Sequence, residues 1–220
     1  MMILDRRGLG ALFLSAAVTL VAAPSFAQPS PASVDPRRWV ESRLGAVGRL
    51  LSQGSDAGVT ATATRDAQVA RILNGMLDIE ELGRRALDPY FAQQTPEDQT
   101  EFVRLLRQLI ERNYRQNLES TLNWQVTYGV AATAAEGTAV VPTTARSRTN
   151  VRTEPVTIDY HLRRRGNDWI VFDIVTNRSS LVQSYRDGYT RIVRDRGFPE
   201  LLRRLRQRVA ALGTAGTVNP

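Results

Sequence analysis

Between Val156 and Val193 the chain changes its hydrophobic period twice. Ile158, Tyr160 and Leu162 alternate with Asp159, His161 and Arg163, which gives a strand one apolar face. Gly166-Asn167 supplies a tight turn that tolerates positive φ. Trp169 to Val175 is a nearly unbroken apolar run, interrupted at Asp173, as expected of a strand covered on both faces. From Ser179 or Ser180, either of which can cap, the period becomes helical, with Leu181, Val182, Tyr185, Tyr189 and Ile192 on one stripe. A hairpin feeding a helix that folds back across it makes a concave wall.

The rest of the chain is organised around that stretch. Asp35-Pro36 caps and opens a helix whose Trp39, Val40, Leu44, Val47, Leu50 and Leu51 recur at helical spacing up to Gln53. Gly54 to Thr64 is small and polar, a loop, and a second helix is expected from about Asp66 to Gly75. A third, capped by Asp78, is expected from Ile79 to Phe91. Thr95-Pro96-Glu97-Asp98 joins a cap, a first-turn proline and first-turn acids, and predicts a helix to about Leu118 carrying Phe102, Leu105, Leu106, Leu109, Ile110 and Tyr114. Strands follow at Trp124–Tyr128 and within Gly137–Ser147, the second expected at an edge or a bulge because of Pro142 and continued by Arg148–Arg152. Arg196-Gly197 stops the helix that began at Ser180, and a last helix runs from Glu200 to Leu212. Helices, then strands, then helices is the α+β order. The simplest assembly is a curved antiparallel sheet of about four strands, wrapped by helices on its concave side.

Charge and composition add an address. Arg6 and Arg7, an apolar run from Leu9 to Ala23 and Ser25-Phe26-Ala27 before Gln28 form a signal peptide cleaved after residue 27. Its removal takes away two arginines and one aspartate and lowers the formal net charge from +7 to +6. Residues 28–34 read as a disordered Pro/Ser/Ala linker, 35–212 as one domain, and 213–220 as a flexible tail. An exported, periplasmic protein is expected. There is no cysteine and hence no disulfide or thiolate metal site, and every basic residue is arginine.

Most catalytic chemistries fail on residue inventory. The one histidine, His161, stands on the strand face opposite Tyr160 and Leu162, and no Gly-x-Ser-x-Gly elbow accompanies it. Glu80 and Glu81 are adjacent on a helix and diverge. No metal-ligand cluster, P-loop or dinucleotide glycine fingerprint is present, so neither cofactor nor metal is expected. Asp173 interrupts a buried strand and reads as an acceptor for a helix N-terminus or an arginine. The clusters Arg163-Arg164-Arg165 and Arg203, Arg204, Arg206, Arg208 read as solvated faces; contact with anionic headgroups or an acidic protein comes second, and nucleic acid is excluded by export. What remains is more apolar surface than one modest sheet covers, which is what a carrier of an amphiphile needs.

Two segments then match a family pattern. ALDPYFAQQTPEDQTEFVRLLRQLIERNYRQNL, residues 86–118, carries the leucine, aromatic, Thr-Pro, Phe-x-x-x-Leu and Tyr-x-x-x-Leu series. DYHLRRRGNDWIVFDIVTNRSSLVQSYRDGYTRIVRDRGFPELLRRL, residues 159–205, carries a Trp and an aromatic-Asp strand, Ser-Leu-Val, Tyr-Arg and a Gly before the last helix. The chain resembles the MlaC family of periplasmic phospholipid-binding, or toluene-tolerance, proteins. It departs from that pattern at Asp88, where glycine is usual, and at Asn177-Arg178-Ser179. The resemblance implies a mixed α/β fold with a deep acyl-chain cavity. It also implies a shuttle, with phospholipid as cargo, between an outer-membrane lipoprotein–porin complex and an inner-membrane ABC transporter, maintaining outer-membrane lipid asymmetry. A monomer is expected. The expected cavity wall is Phe102, Leu106, Leu109, Tyr114, Trp124, Val126, Tyr128, Ile158, Tyr160, Ile170, Phe172, Leu181, Tyr185 and Tyr189, with a plain packed core as the competing reading of each. A small exported enzyme of a cone-shaped α+β fold and an envelope adaptor without a cavity are the alternatives.

Overall fold

Asp35 opens the first helix as its residue type implies, its Oδ1 accepting from the Arg38 N–H at 2.8 Å. In the computed structural model the described residues are 34–52, 59–116, 122–134 and 136–214; the expected leader, most of the linker, the helix end near Leu118 and the last tail residues lie outside them. Helix α1 (Pro36–Ser52) buries Trp39, Val40, Val47 and Leu51. Helix α2 (Val59–Met76) starts seven residues before the expected Asp66, because the Thr/Ala run after Val59 carries no helix breaker. Helix α3 (Ile79–Ala86) is shorter than expected. Pro89 brings no N–H to a helical ladder, so the chain turns and resumes as a 3₁₀ turn, Phe91–Gln93. Helix α4 (Pro96–Gln116) begins at the expected cap, with the Asp98 N–H donating to Thr95 Oγ1 at 3.2 Å.

The sheet has six strands: β1 (Trp124–Tyr128), β2 (Ala132–Ala134), β3 (Thr138–Ser147), β4 (Val156–Arg165), β5 (Asp168–Thr176) and β6 (Ser179–Ser180). Its order is β1-β3-β4-β5-β6, with β2 also on β3, and all pairs are antiparallel. It is an open, curved sheet, and the two strands beyond the expected four are too short to show a period. Strand β3 is interior, which corrects the edge-or-bulge reading of Pro142. The Pro142 carbonyl accepts from the Gly129 N–H at 2.8 Å, so its missing N–H also faces Gly129, and the one absent bond falls at the break between β1 and β2. Residues 148–153 form turns and do not extend β3. The bulge lies elsewhere: the register slips between His161 and Leu162, leaving Phe172 without a ladder partner. Gly166, at φ 61°, turns β4 into β5. The outer edge of β5 pairs with β6 at Val175 and Thr176, and nearer its start the Asp78 N–H donates to the Val171 carbonyl at 2.8 Å.

Helix α5 (Leu181–Arg196) ends at Gly197, whose φ of 83° suits glycine, and α6 (Phe198–Thr214) closes the described chain. Two cores result. One joins α1, α2 and a single sheet face through Trp39, Val40, Met76, Val141, Leu162, Trp169 and Val171. The other is helical, packing α3, α4, α5 and α6 around Phe102, Leu106 and Leu201. Helices α3 and α4 approach closely at Gly83, where a Cβ would stand 3.0 Å from Phe102 Cε1.

Candidate functional site

The ladder registers sort the expected wall by face. Trp124, Val126 and Tyr128 pair with Ser147, Ala145 and Thr143 on β3, and Thr143 and Val141 pair with Ile158 and Tyr160 on β4. These five half-buried side chains therefore share the face that also carries Val141 and Leu162. Tyr128 and Tyr160 pack on the core beneath α1 and α2. Tyr114, near the end of α4, packs with Val47, Leu50 and Leu51 of α1 and Val69, Ile72 and Leu73 of α2. The phenols of Tyr114, Tyr128 and Tyr160 are close enough that each neighbour's ionisation opposes that of Tyr160.

Several of the tyrosine phenols are raised by burial. Burial, and secondarily the two neighbouring phenols, drive the Tyr160 phenol above its ordinary range, yet the residue keeps accessible surface. Burial pushes Tyr114 up to about 12 while it too stays half-buried. Tyr160 packs against the core beneath α1 and α2 and Tyr114 against the α1–α2 cluster, so both phenols lie on the apolar side of the sheet. The same combination holds at Tyr185 on α5, raised by burial and half-buried beside Leu181. The sheet face is mostly apolar carbon with a few phenolic hydroxyls; burial, and secondarily the Glu41 carboxylate, raise Tyr128.

Other expected wall residues go elsewhere. Phe102 and Leu106 are fully buried and Leu109 nearly so, all within the helical core. Phe102 meets Phe91, Tyr189 and Phe198 ring to ring, at centroid distances of 6.2, 5.9 and 6.1 Å. Tyr189 stacks on Tyr185 at 5.2 Å, and its buried hydroxyl has no hydrogen-bond partner among the described residues. Ile170 and Phe172 occupy the sheet face opposite Tyr160, where Ile170 pairs with Arg163 and Phe172 lies under the Arg85 guanidinium at 4.4 Å. The sequence reading leaves out Leu44, Ile72 and Ile174, which are half-buried on the core that holds Tyr128 and Tyr160. Helical spacing on α1 and α2 was the signal available for the first two.

Candidate catalytic groups are occupied structurally. Asp173 Oδ1 accepts from the Val182 N–H at 3.1 Å and the Ile174 N–H at 2.8 Å, and its Oδ2 accepts from the Ser180 hydroxyl at 2.7 Å. It is the helix-terminus acceptor expected from sequence. Ser180 Oγ also accepts from the Gln183 N–H at 3.0 Å, so its proton goes to a carboxylate and its lone pair to a helix cap. His161 pairs with Asp173 in the ladder on the face away from Tyr160. Glu81 takes Arg84 at 2.8 Å and Arg85 at 2.6 Å, and the Arg84 hydrogen bond, foremost, holds its carboxyl at about 2. Of the arginine clusters, Arg163 binds Asp78 and Arg164 stacks on Trp169 at 3.9 Å, while Arg203 and Arg204 share Glu200 and Arg206 takes Glu101. Arg203, Arg204, Arg206 and Arg208 are exposed, as read, with ion pairs along that face, whereas Arg163 and Arg164 are half-buried. Among the described residues no group of acidic or histidine side chains could hold a metal ion.

An open pocket of about 380 Å³ lies at the opposite end of the sheet, lined by Val34, Asp35, Thr133, Thr138, Arg164 and Trp169 among others. It contains none of the expected wall residues. The Trp169 indole N–H donates to the Val34 carbonyl at 2.7 Å there, so this end anchors the incoming chain.

The sequence model described as MlaC protein matches residues 44–207. A solved structure of a phospholipid-binding protein from Ralstonia solanacearum, in complex with a phospholipid, superposes with a TM-score of 0.69 at 24% identity, covering 82% of this chain and 99% of that one. That likeness establishes the fold. No curated protein matches the chain significantly.

Proposed function

The chain belongs to the MlaC family, and from that premise we propose that it is a phospholipid carrier, taking acyl chains into the space between the Tyr128–Tyr160 sheet face and helices α1, α2 and α4. The observation that carries this reading is the apolar sheet face of Trp124, Val126, Tyr128, Ile158 and Tyr160, all half-buried, with α1 and α2 over Tyr128 and Tyr160. The structural relative's bound phospholipid agrees with it. Transfer energetics supply the need. Each methylene left in water costs about 0.8 kcal/mol. Two acyl chains of about 30 methylenes then cost on the order of 20 kcal/mol by the same estimate. An aqueous gap is crossed only if an apolar wall replaces the bilayer interior. A wall with few hydrogen-bonding groups suits a carrier, which must also unload.

In the finer reading the chain is exported by a cleaved leader and shuttles in the periplasm between an outer-membrane lipoprotein–porin complex and an inner-membrane ABC transporter, maintaining lipid asymmetry. A carrier rather than an enzyme fits the residues. Asp173, Ser180 and Glu81 are all committed to capping or ion pairs. The test is organic extraction of the protein purified from a bacterial envelope, followed by mass spectrometry. Diacyl phospholipid in near-stoichiometric amount is expected; repeated recovery of lipid-free protein overturns the reading.

A further inference from the structure

The loop between β3 and β4 holds a hydrophobic side chain outward on purpose-built turns. Val151 is 95% exposed. Ser147 Oγ accepts from the N–H groups of Thr149 and Asn150, Asn150 Oδ1 accepts from Arg152 N–H at 3.0 Å, and the Asn150 carbonyl accepts from Thr153 N–H at 3.1 Å. The exposure is thus set by local hydrogen bonds in a folded loop. Beside it, Arg148 donates its backbone N–H to the Asn123 carbonyl at 2.7 Å, which brings up Leu122, itself 38% exposed.

Arginines surround these two apolar groups. Arg148 and Arg152 flank Val151, Arg146 precedes them on β3, and Arg178 stands on the neighbouring β5–β6 turn, which is tied to β4 where Asn177 N–H donates to the Thr157 carbonyl. All four are exposed, and none makes an ion pair among the described residues, whereas Arg84, Arg203, Arg204 and Arg206 elsewhere do. Glu154 is the single acid of the loop. Arg148 Nε donates to the Trp124 carbonyl at 3.3 Å, which leaves its charge unneutralised. An apolar tip ringed by arginines without acidic partners is complementary to a bilayer surface with anionic headgroups: guanidinium groups meet phosphates, and the aliphatic tip enters the acyl boundary.

We propose that this end of the sheet, centred on Val151, docks on anionic lipid bilayers. The inference goes beyond the carrier reading, since docking uses none of the cavity wall and stands or falls whether or not the protein holds a lipid. It is tested on the full chain with an environment-sensitive fluorophore. The sequence has no cysteine, so Val151→Cys takes the label at one place. Val130→Cys is the control, because Val130 is 85% exposed without neighbouring arginines and lies about 17 Å away along β3, by 3.4 Å per residue.

Phosphatidylcholine vesicles containing phosphatidylglycerol should shift the emission of the label at 151 to the blue, leave the label at 130 unchanged, and lose the effect as salt is raised. Arg148→Gln with Arg152→Gln should weaken the partition about 30-fold. Three results overturn the proposal: equal shifts at 151 and 130, equal shifts with and without phosphatidylglycerol, or unchanged affinity in the double arginine variant. A label at 151 that stays in water with every vesicle does so as well, and leaves the loop to a protein partner or to solvent.

Discussion

Removing the Asp173 carboxylate should unfasten helix α5, and the size of the loss follows from its three hydrogen bonds. The Val182 N–H is one of the helix's unsatisfied first-turn donors; Ser180 serves that of Gln183, and Asp173 orients Ser180 in turn. In Asp173→Ala the Val182 bond, at a partly buried helix N-terminus, accounts for about 1 kcal/mol. The charge-assisted bond from Ser180 adds about 1.5 kcal/mol, and the Ile174 bond, between adjacent residues, about 0.5 kcal/mol. The expected loss is therefore about 3 kcal/mol. Asp173→Asn keeps an acceptor for both N–H groups and can donate its amide to Ser180 Oγ. It forfeits the interaction of charge with the helix dipole and the charge assistance of the Ser180 bond, together about 1–1.5 kcal/mol. Urea denaturation followed by far-ultraviolet circular dichroism, with unchanged m values, measures both. An alanine variant within 1 kcal/mol of the parent, or an asparagine variant as damaged as alanine, would refute the assignment of Asp173 as a shared cap.

Three further outcomes are expected. Glu81 has a carboxyl lowered from 4.5 to about 2, so its stabilising contribution is complete above pH 4.5 and is lost as the pH falls towards 2; Glu81→Gln should flatten the acid limb of a stability–pH curve by about 1 kcal/mol, the full shift being discounted because Arg84 and Arg85 are half exposed. Gly83→Ala places a methyl 3.0 Å from Phe102 Cε1 and 3.2 Å from Leu106 Cδ2, and should lower stability by about 1–2 kcal/mol despite alanine's better helix propensity, read as a fall in the denaturant midpoint. Arg178 sits at φ 68° in the β5–β6 turn, so Arg178→Gly should raise stability by about 0.5–1 kcal/mol in the same assay; a loss would mean that its side chain holds the turn.

The elements with strong local signals were legible in the sequence. Thr95-Pro96, the Gly166-Asn167 turn, Ser180 and Gly197 each mark a boundary by a backbone requirement that few other residues meet, and each boundary stands where expected. The capping role of Asp173 was readable for the same reason: a carboxylate inside an apolar run needs donors, and a helix begins eight residues later. Pro142 misled because a missing N–H says that one ladder bond is absent without saying which neighbour lacks it. The strands β2 and β6 are two or three residues long and have no period to read. For the wall, the alternation on β1 and β4 assigned Trp124, Val126, Tyr128, Ile158 and Tyr160 to one side. Phe172 went astray because the bulge at His161/Leu162 breaks that alternation. Phe102 and Tyr114 share a helical stripe, but the crossing of α4 over α3 and α6 decides which meets other rings and which reaches the tyrosine cluster. Such crossings are set by tertiary packing and leave no trace in the period of one helix.

The two short segments lying along β5 bear on how the molecule avoids its own kind. Ser179–Ser180 from after the strand and Leu77–Asp78 from before it occupy the margin that would otherwise template fibril growth. Strand addition is then confined to the far margin at β1, where only five residues are extended before Gly129 and the break opposite Pro142 interrupt them. A polymer starting there gains too short a ladder to propagate, so the protein can keep an oily interior without inviting cross-β assembly.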